Sequence, residues 1–330
     1  MKKVCRLLLS LSMCAVIIGC SDKEDSADGN SKLKIGVIQY AEHPALDQAY
    51  QGFKDGLKDE GYVDGENITI DFKNAQGDPS TPETIANKFV NDGNDLIYAI
   101  ATPAAQAVAQ KTSEIPIVIS AVTDPANSGL VSSNEKPGAN ITGTSDLTPV
   151  KEQIDLLTQL LPNVKTIAVM YTNSEDNSRF QAELAKKAIE SAGLEYREAK
   201  VSDLSQIQQV SQSLVGKVDA IYIPTDNMLA EGMSTVAMVS SENNLPCIVG
   251  EGGMVRNGGL ATYGIDYYNL GYLSGVQAAK ILNGDATPAD MPIEYLNVED
   301  CELTINKKVA DELGITIPQE LLEKAIIVEE

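Results

Sequence analysis

The sequence predicts an α/β protein made of two doubly wound parallel-sheet lobes around a ligand cleft. Three observations lead there: short apolar runs alternate with segments of helical period, the alternation recurs as two series of similar size, and 330 residues suffice for two cores. Strands buried on both faces read as near-continuous apolar runs, and the helices between them cover the sheet. Such sheets bind ligands in the crevice at the carboxyl ends of their strands.

The first series opens with residues 33–38 (LKIGVI) as a buried strand, and residues 46–60 follow with Ala49, Phe53 and Leu57 on one helical face. Residues 68–72 then read as strand, 82–91 as helix, 96–101 as strand, 104–112 as helix and 115–122 as strand. The second series begins after Pro149, with helix over 150–161, strand over 166–171, helix over 179–192 and strand over 195–201. Segments 204–214, 220–224, 228–243 and 247–249 continue the alternation. The tail adds a strand over 262–265, an amphipathic helix over 267–282, strand material over 293–305 and a short helix over 307–313. The extra material implies that the chain crosses back between lobes near Asp266. Residues 33–147 with 266–292 are expected to form the N-terminal lobe, and 148–265 with 293–330 the C-terminal lobe.

Lys2, Lys3 and Arg6 precede an apolar run over residues 7–18, too short for a bilayer span of about 20 residues. The run ends in Ile17-Ile18-Gly19-Cys20, the small-residue-then-cysteine pattern that resembles a bacterial lipoprotein box. Residues 1–19 are therefore expected to be a signal peptide, Cys20 the lipid-attachment residue, and residues 20–31 a polar, flexible tether to the extracytoplasmic face of the membrane.

Forty-seven acidic against 25 basic residues give a net charge of −22, without a basic run beyond the signal, which excludes nucleic acid as a partner. The same acidity favours a soluble monomer. Of five cysteines, Cys5 and Cys14 fall in the signal and only Cys247 and Cys301 follow Cys20, so no disulfide framework exists, although a bridge between those two stays open. His43 is the only histidine; with no CxxC and no HExxH, a structural zinc site or a histidine triad is excluded. Gly250-Glu251-Gly252-Gly253 lacks the Gly-Lys-[Ser/Thr] of a phosphate loop, so no nucleotide or other cofactor is expected.

The segments His43-Pro44-Ala45-Leu46-Asp47, Ala101-Thr102-Pro103-Ala104-Ala105-Gln106, Ser120-Ala121-Val122-Thr123-Asp124-Pro125 and Gly143-Thr144-Ser145-Asp146 occur in that order. Tyr171-Thr172-Asn173-Ser174-Glu175, Pro224-Thr225-Asp226-Asn227 and Ala261-Thr262-Tyr263-Gly264-Ile265-Asp266 follow. Together they resemble the ABC-transporter substrate-binding lipoproteins related to tryptophan- and tyrosine-binding proteins. The resemblance implies a type I periplasmic-binding fold, with three crossings between lobes that close over a small molecule. It further implies an aromatic or branched apolar amino acid as ligand, an ABC permease with its ATPase as partner, and no catalytic activity. A sugar or nucleoside ligand is the alternative within the same fold, and presentation of ligand to a membrane receptor is the alternative role.

The residues of these segments suggest how a zwitterion could be held. Thr102 follows a strand and precedes Pro103, so it either caps its own helix or, with Pro103 and Ala104, offers a helix N-terminus to a ligand carboxylate. Ser120 and Thr123 end the next strand on the same crevice edge. Ser145 and Asp146 sit at the expected crossing and face either hinge or cleft. On the C-terminal lobe, Asn173 and Asn177 lie between strand and helix, and Thr225, Asp226 and Glu251 follow strands. Asp226 is the expected partner of a ligand ammonium, with Glu251 in reserve. Tyr40 ends its strand and is the tyrosine best placed to stack on an aromatic ligand. His43, in a loop, reads as solvated or capping, with ligand contact as the other reading.

Overall fold

The structure is a computed structural model in which residues 32–296 and 300–329 are described. The expected signal peptide, the tether and Cys20 lie outside the described residues. In chain order the first elements are β1 (Leu33–Gln39), α1 (Pro44–Asp59), β2 (Ile68–Asn74), α2 (Thr81–Asn91), β3 (Leu96–Ile100), α3 (Thr102–Ala109), β4 (Ile117–Ser120) and β5 (Ile141–Ser145). Next come α4 (Val150–Leu160), β6 (Thr166–Thr172), α5 (Asp176–Ser191), β7 (Glu195–Val201), α6 (Ile207–Leu214), β8 (Ala220–Ile223), α7 (Asn227–Glu231), α8 (Met233–Asn243) and β9 (Cys247–Val249). The remainder is α9 (Gly252–Arg256), β10 (Ala261–Gly264), α10 (Tyr267–Leu282), β11 (Glu294–Tyr295), β12 (Glu302–Asn306), α11 (Lys307–Glu312), α12 (Gln319–Leu322) and β13 (Ile326–Val328).

The strands form two sheets, ordered β11-β5-β4-β3-β1-β2 and β13-β12-β10-β9-β8-β6-β7. Within each, the first strand of the series lies between the second and third, so the strand order reverses beside β1 in one lobe and beside β6 in the other. Pairing is parallel except between β10 and β12, which run antiparallel. Between those two strands the chain visits the other sheet, so no helical crossover imposes parallel pairing there.

The chain leaves the first sheet between β5 and α4, returns between β10 and α10, and comes back to the second sheet as β12. Helix α10 is fixed to the first lobe by a glycine contact with α1: a Cβ at Gly52 would lie 2.0 Å from Tyr268 O, and one at Gly271 would lie 1.9 Å from Ala49 O. Only glycine lets two backbones approach this closely. The expected boundary at 292 falls short, because Glu294 pairs with Thr144 and Tyr295 with Ser145 in the first sheet. The apolar pattern over 293–305 does not distinguish two strands that belong to different sheets.

Two further expectations change, and the question left open for the cysteines is answered. Strand β5 has no counterpart in the sequence reading, since Ile141-Thr142-Gly143-Thr144-Ser145 offers one large apolar residue, yet the whole strand is buried. Its hydroxyls find partners: Thr142 Oγ1 donates to Met291 O at 2.8 Å and Thr144 Oγ1 to Ser120 Oγ at 3.1 Å. The helix expected over 228–243 is two helices broken at Gly232. Cys247 and Cys301 are not bridged; Cys247 is buried in the core on one face of the second sheet, whereas Cys301 packs against the core of the first lobe.

The second sheet sorts its side chains by strand alternation. Ile167, Val169 and Tyr171 enter one core, and Ala168 and Met170 the other, so helices cover both faces and leave the carboxyl ends of the strands for the cleft.

Candidate ligand-binding cleft

Three hydrogen bonds between lobes define the cleft. Gln106 Nε2 of α3 donates to Asp176 Oδ2 at the start of α5 (2.7 Å), and Gln181 Nε2 of α5 donates to Thr123 Oγ1 beyond β4 (3.3 Å). His43 Nε2, beyond β1, lies 3.4 Å from Asn227 Oδ1, beyond β8. The strand ends β1, β3 and β4 therefore face β6, β8 and β9 across the crevice. Between them is a small, nearly closed cavity lined by His43, Ala121, Asp146, Asn177, Asp226, Glu251 and their neighbours. A larger groove along residues 159–164 and 314–318 lies away from these strand ends and gathers none of the buried acids described below.

Four carboxylates are buried in or beside the cleft: Asp146, Glu175, Asp226 and Glu251. Burial pushes all four above the ordinary carboxylate range, Glu251 to about 7 and Glu175 to about 8, with repulsion from Asp226 adding to the latter. No group of three or more His, Cys, Asp and Glu side chains among the described residues is arranged to hold a metal ion.

Their oxygens are used differently. Asp146 accepts from Thr123 Oγ1 at 2.9 Å and from Tyr267 Oη at 2.9 Å. Asp226 caps α7 through Leu229 N at 2.9 Å and also accepts from Thr172 N at 2.6 Å and Thr172 Oγ1 at 2.8 Å. Glu251 caps α9 through Gly253 N and Met254 N. Glu175 accepts from Asn177 and Asn227 through Oε2, and its buried Oε1 has no partner in the protein. Asn177 Oδ1, beside it, is also buried without a partner.

On the opposite lobe, α3 begins at Thr102, not at Pro103. Its cap is Ala101, with φ +82° and no side-chain bond, and Thr102 Oγ1 is buried without a partner. The capping alternative for Thr102 thus fails. Helix geometry leaves the first N–H groups of α3 unsatisfied, and their dipole end favours an anion. Ala121, at the end of β4, also has positive φ, +55°. Two alanines in a region that costs an L-residue about 1–2 kcal/mol mark a backbone held in place by the surrounding fold, at the edge where a ligand would sit.

Thr102, Thr123, Asp146, Asn177, Thr225, Asp226 and Glu251 are buried around the cleft, and Ala104 lies within the first turn of α3. Tyr40 is buried at the end of β1 with its hydroxyl donating to Gly77 O at 3.3 Å, and burial, followed by the charges of Glu175 and Asp226 from the other lobe, raises its phenol. Pro103 is half-buried in α3. Ser120 does not face the cleft, since its hydroxyl belongs to an interior cluster with Thr144, which bonds in turn to Ser274. Ser145 donates to Thr123 O at 2.7 Å and accepts from Leu147 N, so it braces the crossing. Asn173 is exposed, its carbonyl held by Arg179. Glu175, Gln106, Gln181, Asn227 and Tyr267 join the site without having been singled out by sequence. Glu175 follows a predicted strand, the same signal that selects Asp226 and Glu251.

The chain matches the family of ABC transporter substrate binding proteins over residues 34–329. It is 42% identical over 315 residues to a tyrosine-binding protein of Clostridioides difficile, covering 93% of this chain and 90% of that one. A solved structure from Streptococcus pneumoniae, an ABC domain in complex with L-Trp, is 42% identical with a TM-score of 0.87, over 91% of this chain and 100% of that one. A ligand-free, open structure of a substrate binding protein from Clostridium difficile is 43% identical with a TM-score of 0.69, over 90% and 99% of the two chains. The fold is that of the type I periplasmic binding proteins. With the match spanning both lobes and the cleft, the chain belongs to the ABC transporter substrate-binding protein family, whose members are extracytoplasmic solute-binding proteins and not enzymes.

Proposed function

We propose that the cleft binds an aromatic amino acid, with the ligand carboxylate at the N-terminus of α3 and the ammonium at Glu175. The observation that carries this reading is the pair of unpartnered polar groups on opposite lobes: Thr102 Oγ1 on one, Glu175 Oε1 with Asn177 Oδ1 on the other. Buried polar atoms are ordinarily hydrogen-bonded, and a zwitterion supplies the complement to each. Asp226, expected from sequence to take the ammonium, has both oxygens engaged by its own lobe, as does Glu251.

The lobe arrangement supports a liganded-like, closed state. At nearly equal identity, this structure superposes better on the L-Trp complex than on the ligand-free, open relative. Ligand would act by shifting the population toward the closed form, which a permease with its ATPase would recognise for import. The protein would be held to the outer face of the cell membrane through lipid on Cys20, as a monomer.

Thermal unfolding against amino acids, sugars and nucleosides tests the ligand class. A ligand at about 1,000 times its Kd stabilises by roughly 4 kcal/mol, a shift of several degrees. Stabilisation by aromatic amino acids is expected; stabilisation by a sugar or nucleoside alone overturns the reading. Cys20→Ala should move the protein from the membrane to the soluble fraction, and retention at the membrane would refute the anchor.

A further inference from the structure

His43 precedes α1 with an extended backbone, and its side chain caps none of the helix N–H groups. Its ring is buried, and Nδ1 has no partner in the protein. The other nitrogen, Nε2, faces Asn227 Oδ1 at 3.4 Å, while Asn227 Nδ2 donates to Glu175 Oε2. With a ligand ammonium beside it Glu175 is ionised and only accepts, so Asn227 turns its amide nitrogen to Glu175 and its oxygen to His43. The imidazole must then donate through Nε2. A neutral ring has one donor and one acceptor, which leaves Nδ1 as an acceptor on the cleft wall. Burial lowers the His43 pKa to about 4 and keeps the ring neutral at physiological pH.

We propose that His43 is a specificity-determining residue whose Nδ1 accepts a hydrogen bond from the ring of the bound side chain, so that the cleft selects aromatic amino acids bearing a ring N–H or O–H over those with a plain phenyl ring. The inference rests on the aromatic amino-acid reading above and adds which aromatic rings the site accepts. The relay also couples the two ends of the ligand. An ammonium at Glu175 holds that carboxyl ionised, the ionised carboxyl orients Asn227, and Asn227 sets the His43 tautomer. Because His43 belongs to one lobe and Asn227 and Glu175 to the other, the acceptor is fixed only when the lobes are together. A phenyl ring would leave the buried Nδ1 unpaired, the asymmetry by which polar sites reject analogues that lack a donor.

The test is calorimetry on the full chain in detergent with L-tryptophan, L-tyrosine and L-phenylalanine. Whichever ring binds is then compared with an analogue lacking the donor: benzothienylalanine for tryptophan, 4-fluorophenylalanine for tyrosine. The wild type should prefer the donor-bearing ligand over phenylalanine and over its analogue by about tenfold or more. His43→Leu should reduce both preferences to about threefold or less, chiefly by weakening the donor-bearing ligand, and His43→Asn should restore part of them. Equal binding of ligand and donor-free analogue by the wild type overturns the proposal, as does a folded His43→Leu protein that keeps the preference. Should His43→Leu not fold, the analogue comparison on the wild type decides alone. A wild type that binds no aromatic amino acid overturns the functional reading and this inference with it, whereas binding without ring-donor preference overturns the inference only.

Discussion

The two lobes share a strand order but meet the cleft with opposite chemistry. The first brings a helix N-terminus, an unpartnered threonine hydroxyl, two alanines at positive φ and a single buried carboxylate, Asp146, whose oxygens are taken by Thr123 and Tyr267. The second brings three buried carboxylates, Glu175, Asp226 and Glu251, on successive strand ends. Neither lobe alone matches a zwitterion. The same contrast separates the acids by role. Asp226 and Glu251 complete the lobe that carries them by capping α7 and α9, whereas Glu175 keeps an oxygen for something outside it.

The largest effects should separate Glu175 from Asp226. Glu175→Gln removes a charge-assisted bond to the ligand and should weaken binding roughly 10- to 100-fold, with the unliganded protein as stable as before or more so. Asp226→Ala strips the cap of α7 and leaves Thr172 N and Leu229 N unsatisfied, which should cost about 2–4 kcal/mol of unliganded stability. Denaturant unfolding and calorimetry on both variants check this. If Glu175→Gln unfolds the lobe while Asp226→Ala spares it, the two acids have exchanged roles: Glu175 holds the lobe together and Asp226 is free for ligand.

How much of this is legible from sequence follows the same division. Strands whose apolar runs are continuous, such as Leu96–Ile100, announce themselves, because burial on both faces demands them. Strand β5 does not, since its burial is made tolerable by hydroxyl pairs with β4 and α10 that only the fold brings together. In the site, the position of an acid after a strand is visible. Whether its oxygens are consumed locally is not: Asp226 is spent on Thr172, which is 54 residues away in sequence. The partnerless state of Glu175 Oε1 and the relay from Glu175 through Asn227 to His43 likewise depend on the lobes being together.

Proton linkage sharpens the comparison at intermediate magnitude. Glu175 is raised in the folded state, from 4.5 to about 8. Its contribution to unliganded stability is therefore fully present at low pH and is lost as pH rises through the folded value. The ligand ammonium requires the ionised form. The unliganded melting temperature should fall from about pH 4.5 to about pH 8, while the ligand-induced shift grows toward pH 8. Asp226 and Glu251 are raised as well, so Glu175→Gln should keep part of the first slope and lose most of the second. Calorimetric scans with and without ligand read both, and a ligand-induced shift that shrinks as pH rises would refute the ammonium assignment.

The smallest effect falls on the first lobe. Thr102→Val replaces a hydroxyl with a methyl of similar size. In most buried threonines that change strands a partner, but Thr102 Oγ1 has none within the protein. Unliganded stability should therefore hold or rise by about 0.5–1 kcal/mol, while the affinity falls about threefold to tenfold as the ligand carboxylate loses one donor and keeps the helix end. Thermal unfolding and calorimetry separate the two responses. A loss of stability with unchanged affinity would place Thr102 in the scaffold, and the anion-binding character of this lobe would then rest on the backbone of α3 alone.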